Sequence, residues 1–266
     1  MKEIQVSRGE AGQRLDKLLG RYLNTAPSSF IYKMLRKKNI TLNDRKATGK
    51  EILEIDDCVK IFLSDDTWEK FSTVKFGNKV NESKLSAYQN IPPLKKDQII
   101  YEDEHILILN KPTGMLSQKA QPKDISMNEQ MISYLCHTGQ ITAEEFQTFK
   151  PAVCNRLDRN TSGLLMAGKS LAGLQVLADM LKTRSMHKYY TTLVAGQIMQ
   201  PCRIEGYLQK DETTNKVTIF KEEVPDAKRI ITEYHPIKQL KNATVLEVLL
   251  VTGRSHQIRA HLASIG

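Results

Sequence analysis

Hydrophobic and polar positions along the chain follow two periods, and the change from one to the other marks out the elements. Leu15, Leu18, Leu19, Tyr22 and Leu23 recur at i, i+3, i+4, i+7 and i+8, so residues 14–23 read as a helix with one apolar face. Pro27, Ser28 and Ser29 stop that helix and cap the next. The second helix buries Ile31, Met34 and Leu35 and turns Lys33, Arg36 and Lys37 away from them. Residues 40–43 and 59–63 read as short strands, with a turn at Asp44 and Arg45. Residues 66–97 are polar and mixed in charge. Trp68, Phe71 and Phe76 are thinly spread there, and with Pro92 and Pro93 near its end the stretch reads as a linker.

Past the linker, strands at 98–101 and 105–109 flank the acidic turn Glu102-Asp103-Glu104, and residues 110–114 form a loop. Helices are expected at 124–136 and 142–149, a strand at 164–167, and a helix capped by Ser170 that runs to about Leu181. The pattern then turns to strands: 187–195, a hairpin near 211–215, 229–237 and 243–251. The last is apolar on both parities except at Glu247, as a strand buried on both faces would be. A helix at 255–264 closes the series.

A chain of 266 residues, 40% hydrophobic and 26% charged, has the size and composition of a soluble protein of one or two domains. No apolar run approaches a membrane span, and residues 1–10 lack a signal-peptide pattern, so the expected location is the cytoplasm. Cys58, Cys136, Cys154 and Cys202 are scattered and suggest neither a disulfide framework nor a zinc site. The net charge of +9 matters through its placement: Ser28 to Lys50 holds seven Lys or Arg and one Asp. Such a concentration favours a polyanion, because each neutralised phosphate releases counterions.

Chemistry centres on Cys154 to Gly168. Asp158 stands between Arg156 and Arg159, the turn formers Asn160, Thr161, Ser162 and Gly163 follow, and an apolar run comes next. The string Gly163-x-x-x-x-Gly168-Lys169-Ser170 satisfies a P-loop formally, but Leu164 to Ala167 suits a strand better than a phosphate cradle. His256 and His261 are five apart, on different faces of a helix, so they do not form a zinc pair. There is no Gly-x-Ser-x-Gly elbow and no second acid beside Asp158. What survives is Asp158 with Tyr189 or Tyr190 and the segment 252–259, which contains Arg254. A guanidinium nearby favours the charged form of a carboxyl group, and an oriented carboxylate can serve as nucleophile or base.

Asn155-Arg156-Leu157-Asp158-Arg159-Asn160-Thr161-Ser162-Gly163-Leu164-Leu165 resembles the signature of the RluA-type pseudouridine synthases. Segments 101–114, 188–196 and 252–263 agree with that family in order. Arg14 to Leu19, Arg36-Lys37-Lys38, Ile40 to Asn43 and Asp57 resemble an S4-like RNA-binding domain, with Asn39 and Asp56 at positions where glycine is usual. The resemblance implies an α+β protein: an S4-like domain over 1–65, a linker over 66–97, and a catalytic domain with a mostly antiparallel mixed sheet over 98–266. It implies isomerisation of uridine in structured RNA, most of all large-subunit ribosomal RNA, without cofactor or metal. Asp158 matches the catalytic aspartate and Tyr190 the tyrosine that stacks on the uracil. Arg254 matches the aspartate's partner, and Arg156 the residue that displaces the target base. Lys33, Arg36, Lys37 and Lys38 are the expected phosphate contacts. Asn155 stands for the family's histidine and can still donate and accept hydrogen bonds. The family continues past the position of Gly266 with a Pro-Ile-x-Gly-Asp stretch, so a truncated chain is expected. The alternatives are a non-catalytic RNA-binding protein of this fold and a P-loop nucleotide hydrolase.

Overall fold

The computed structural model describes residues 1–74, 83–211, 214 and 216–266, which fall into two compact units, 1–179 and 180–266. Phe76 and the hairpin residues Glu212, Thr213 and Asn215 lie outside the described residues.

The first unit begins with strand β1 (Lys2–Gln5), helices α1 (Leu15–Tyr22) and α2 (Ser28–Arg36), and strands β2 (Ile40–Leu42), β3 (Arg45–Lys46) and β4 (Cys58–Ile61). The strands pair antiparallel in the order β1-β4-β2-β3. The apolar faces expected of the two helices are the ones buried: Leu15, Leu18, Leu19 and Tyr22 from α1, and Ile31, Met34 and Leu35 from α2, share a core with Ile40, Val59 and Ile61. Leaving those side chains in water would forfeit about 1.5–3 kcal/mol for each large apolar one, which is why the basic residues are the ones left outside. The chain leaves α2 through a left-handed residue, and that residue is Lys38 (φ 56°) rather than Asn39. The Lys38 amide donates to Leu35 O at 3.1 Å and the Asn39 amide to Met34 O at 2.9 Å, which closes the helix end. Asp56, the other residue in a place where glycine is usual, is also left-handed (φ 68°).

The described residues of the stretch 66–97 hold two helices that the spacing of its apolar residues does not suggest. Helix α3 (Asp65–Phe71) is capped by Ser64, and Trp68 is buried in the N-terminal core with its indole N–H on Val74 O at 3.1 Å. Helix α4 (Ser83–Gln89) places Leu85 in the next core, together with Leu94.

That next core is built on strands β5 (Ile99–Glu102) and β6 (Ile106–Lys111), helices α5 (Met127–His137) and α6 (Glu145–Thr148), strands β7 (Ala152–Val153) and β8 (Gly163–Gly168), and helix α7 (Leu171–Thr183). The strands pair antiparallel in the order β5-β6-β8-β7, and Leu107, Leu109, Leu165 and Ala167 pack against Met127, Met131, Ile132 and Leu135 of α5. Helix α7 starts hard against the β5–β6 turn: His105 O accepts from the Lys169 amide at 2.8 Å, and a Cβ on Gly173 would lie 2.2 Å from the same oxygen.

The second unit holds strands β9 (Tyr189–Ala195), β10 (Cys202–Lys210), β11 (Val217–Phe220), β12 (Lys228–Gln239) and β13 (Ala243–Leu250), then helix α8 (Gln257–Ala263). They form an antiparallel sheet in the order β11-β10-β12-β13-β9. The class is α+β as expected, with the strands after residue 98 bonded as two antiparallel sheets rather than one mixed sheet. Strand β13 is less enclosed than its sequence suggests. Thr244, Leu246 and Val248 are buried, but Ala243, Val245 and Leu249 are only half-buried.

Gly173→Ala should destabilise the protein although alanine is the better helix former by about 1 kcal/mol. The clash is with backbone, which cannot swing aside, and overpacking of this kind costs about 1–3 kcal/mol. A urea midpoint lower than wild type is the expected result.

Candidate active site

The Asp158 turn is held from three sides. From β7, the Asn155 side chain continues the strand pairing where the backbone has left it: its Nδ2 donates to Leu164 O at 3.0 Å and its Oδ1 accepts from the Met166 amide at 2.8 Å. Both halves of the amide are used, as expected of Asn155. From the loop before α5, buried Ser117 donates its hydroxyl to Leu157 O and accepts from the Leu157 amide, each at 2.9 Å. Within the turn, the Thr161 amide donates to Asp158 O at 3.0 Å.

The third support is Lys111, the last residue of β6, whose side chain is fully buried. Its Nζ donates to Pro112 O at 3.0 Å, Met115 O at 2.7 Å and Arg159 O at 3.2 Å. The Gly114 amide donates to Arg159 O at 2.9 Å, and Arg159 Nε donates back to Gly114 O at 3.1 Å. One ammonium thus gathers the 112–115 loop and the residue after Asp158. Burial pulls the Lys111 pKa below its ordinary value, and the Asp158 charge acts in the opposite direction. Asp158 itself is half-buried, and Arg156 beside it is exposed.

Tyr190 and Arg254 belong to the second unit. On β9, Tyr190 pairs with Val248 of β13 and packs with Tyr234, Leu246 and Val248, whereas Tyr189 is 57% exposed. Strand alternation gives the two tyrosines opposite faces, as expected. Arg254 is exposed on the loop between β13 and α8. That loop is fixed by buried Gln257: its Oε1 accepts from the Arg254 amide at 3.1 Å and from the Thr252 hydroxyl at 3.0 Å. Its Nε2 donates to Ile231 O at 3.1 Å and to Thr232 Oγ1 at 3.0 Å. Thr232 Oγ1 also meets His261 Nδ1 at 3.0 Å, so α8 and β12 share one buried polar network. His261 is a satisfied structural histidine.

Lys33, Arg36, Lys37 and Lys38 are all exposed, at and just beyond the end of α2. The P-loop alternative fails. Residues 163–168 are strand β8, Lys169 Nζ is taken by Glu102 Oε1 and Asp103 O (both 2.6 Å), and Ser170 Oγ bonds His105 Nδ1 (2.8 Å) and caps Gly173 N (3.1 Å). Among the described residues no group of three or more His, Cys, Asp or Glu could hold a metal ion, and no helix is long and apolar enough to cross a membrane.

Sequence reasoning missed Lys111, Ser117 and Gln257 as supports. For Lys111 a signal existed: it shares strand parity with Leu107 and Leu109, both fully buried.

A family model described as RNA pseudouridylate synthase matches residues 105–264. The ribosomal large subunit pseudouridine synthase C of Escherichia coli strain K12 is 30% identical over 272 residues, spanning 100% of this chain and 77% of that protein. The protein of the same name from Vibrio cholerae is 29% identical over 274 residues, spanning 99% and 76%. Among solved structures, human RNA pseudouridylate synthase domain containing 4 is similar with a TM-score of 0.51 and 17% identity, over 69% of this chain and 67% of that one.

Burial lowers the His261 pKa below its ordinary value, against an opposing contact with the Glu205 backbone. The unfolded chain therefore takes up a proton near pH ~6.5 that the folded chain refuses. Stability from this residue is present above that pH and is lost as pH falls through the window below it. His261→Gln should flatten the fall in urea midpoint between pH about 6.5 and 5, and an unchanged slope would show that the network does not exclude the proton.

Proposed function

The chain belongs to the RNA pseudouridylate synthase family, and on that premise we propose that it converts uridine to pseudouridine in large-subunit ribosomal RNA, with Asp158 as the catalytic carboxylate. It is an isomerase acting on RNA. The reaction breaks the bond between uracil N1 and ribose C1′ and forms one between uracil C5 and C1′. A proton leaves C5 and one is gained at N1, so no atom or electron is supplied from outside. The target base has to leave its stack before any side chain can reach it.

One observation carries the assignment: the backbone around Asp158 is fixed by Lys111, Ser117 and Asn155 while its own side chain is left half-exposed. A reacting group gains when its supports are locked in advance, because no reorganisation is needed at the moment of reaction. The remaining roles follow from the family motifs. Tyr190 stacks on the uracil and assists loss of the C5 proton, Arg254 balances the acid's charge, and Arg156 takes the space the base leaves. Tyr189 and Tyr190 stand on opposite faces of β9, so one ring at most can take this role, and the family motif points to Tyr190.

In the same reading residues 1–65 are an S4-like module, and residues 98–266 carry the chemistry. Lys33, Arg36, Lys37 and Lys38 hold RNA phosphates; their exposure and the lack of acids among them support this. The names of the relatives support ribosomal RNA as the substrate, and with it a place of work in the cytoplasm.

Asp158→Asn should lower pseudouridine formation by about 10²-fold or more while RNA binding stays near wild type. Equal product from both proteins would remove Asp158 from the mechanism, and no product from either would leave a binding protein. Reversing Lys37 and Lys38 to Glu should weaken RNA binding and flatten its dependence on salt by about 0.7–0.9 for each phosphate no longer neutralised. A slope equal to wild type would contradict the phosphate role.

A further inference from the structure

Arg203 and Arg229 of the second unit are spent on Glu205 and Glu233. Lys188, the residue before β9, is not spent. Among the described residues its ammonium has neither a hydrogen bond nor an ion pair. The side chain is half-buried, and burial together with the charge of Arg184 pulls its pKa below the ordinary value. No acid acts on it in the other direction. A cation drawn partly out of water beside a second cation is costly, and such an arrangement marks a site whose anion comes with a ligand.

The backbone places this ammonium with two devices. The Leu250 amide donates to Lys188 O at 2.9 Å, so β9 and β13 stay paired one step past Tyr189 and Leu249. Alternation then puts the Lys188 side chain on the face of Tyr190, opposite to that of Tyr189. Beyond Leu250 the chain is pinned at Thr252, whose hydroxyl accepts from the Ile231 amide at 2.8 Å, and Gly253 follows. A Cβ on Gly253 would lie 3.3 Å from Lys188 Nζ, tighter than ordinary van der Waals contact. Glycine thus leaves the ammonium its place against the loop, where Gly253 and Arg254 are both exposed. The ammonium is not sealed in; its tip meets solvent.

Two residues along a strand cover about 7 Å, the scale of the span from a pyrimidine ring to the phosphate of its own nucleotide. A ring stacked on Tyr190 therefore brings a phosphate within reach of the next cation on the same face. We propose that Lys188 binds a phosphate flanking the target uridine and so anchors the flipped nucleotide, while Arg254 stays with the acid. The anchor has a chemical purpose. The uracil detaches and turns, but the ribose has to stay, and a grip on the phosphate holds C1′ in place for the new bond. This assignment rests on the reading of Tyr190 as the ring against the uracil and adds to it the group that fixes the backbone.

The test uses the full chain and the large-subunit ribosomal RNA hairpin that it binds most tightly, read by fluorescence anisotropy and by pseudouridine formation. The hairpin is made with a neutral methylphosphonate in place of the phosphate on the 5′ or the 3′ side of each loop uridine in turn. In wild type one of these replacements should weaken binding roughly tenfold, as loss of a charged hydrogen bond does. Lys188→Met should weaken binding of the unmodified hairpin by a similar factor and flatten its salt dependence by about 0.7–0.9. It should also become indifferent to that one linkage, whereas Lys188→Arg should keep the sensitivity. A merely structural lysine would give no such dependence on the linkage. The wild-type measurement needs no variant, so indifference of wild type to every linkage overturns the proposal even if Lys188→Met folds poorly. Lys188→Met as sensitive as wild type also overturns it. So does a fall in kcat at unchanged affinity, alike on every hairpin, which would make Lys188 a partner of the acid instead. A linkage effect that depends on Lys188 in a chain that makes no pseudouridine defeats only the catalytic reading. Pseudouridine made by a chain in which no linkage effect depends on Lys188 defeats only the anchor.

Discussion

A lysine ammonium enclosed by carbonyl oxygens is the constraint on which the Asp158 turn depends. Burying such a charge costs several kcal/mol unless its protons are all used. Lys111 uses them on Pro112 O, Met115 O and Arg159 O, and the Asp158 charge offsets part of what burial takes away. The arrangement is self-consistent in both directions. Without the lysine, Pro112 O and Met115 O would lose its ammonium and Arg159 O would keep only the Gly114 amide; without the two loops, the lysine would have no reason to be inside. The role proposed for Asp158 needs this kind of support, because a reacting group on a loop free to move loses the orientation on which a rate depends.

The second unit solves the same problem with neutral groups. Gln257 spends both ends of its amide holding the Arg254 loop to β12, and Thr232 passes the contact on to His261. A neutral network suits a loop that presents an exposed guanidinium, since it adds no second charge close by. Tyr190 is placed more simply. Strand β9 is the edge of its sheet, and alternation decides which tyrosine packs with Val248.

Much of this was legible in the chain, for identifiable reasons. The helical period of Leu15 to Leu23 and the run Ile31, Met34, Leu35 gave α1 and α2, because an amphipathic helix writes its buried face directly into the spacing. The Asp158 turn was legible because small polar residues break an otherwise apolar pattern. Strand β1, Lys-Glu-Ile-Gln, was not: an edge strand with one buried side chain has no alternation to detect. Helices α3 and α4 were hidden because Trp68 and Leu85 are single anchors in polar surroundings. A strand that ends at Leu109 stops two residues short of the observed one, and so puts the buried Lys111 in a loop. The Gln257 network joins residues 21 to 29 positions apart, and no local pattern reports it.

Hydrogen–deuterium exchange on Lys111→Met measures the support of the Asp158 turn most directly. Losing the ammonium should speed exchange of the Gly114 amide and of residues 157–161, while β9 to β13 keep the protection of wild type. Wild-type protection across 112–118 and 155–161 in that variant would mean that the turn stands without the lysine.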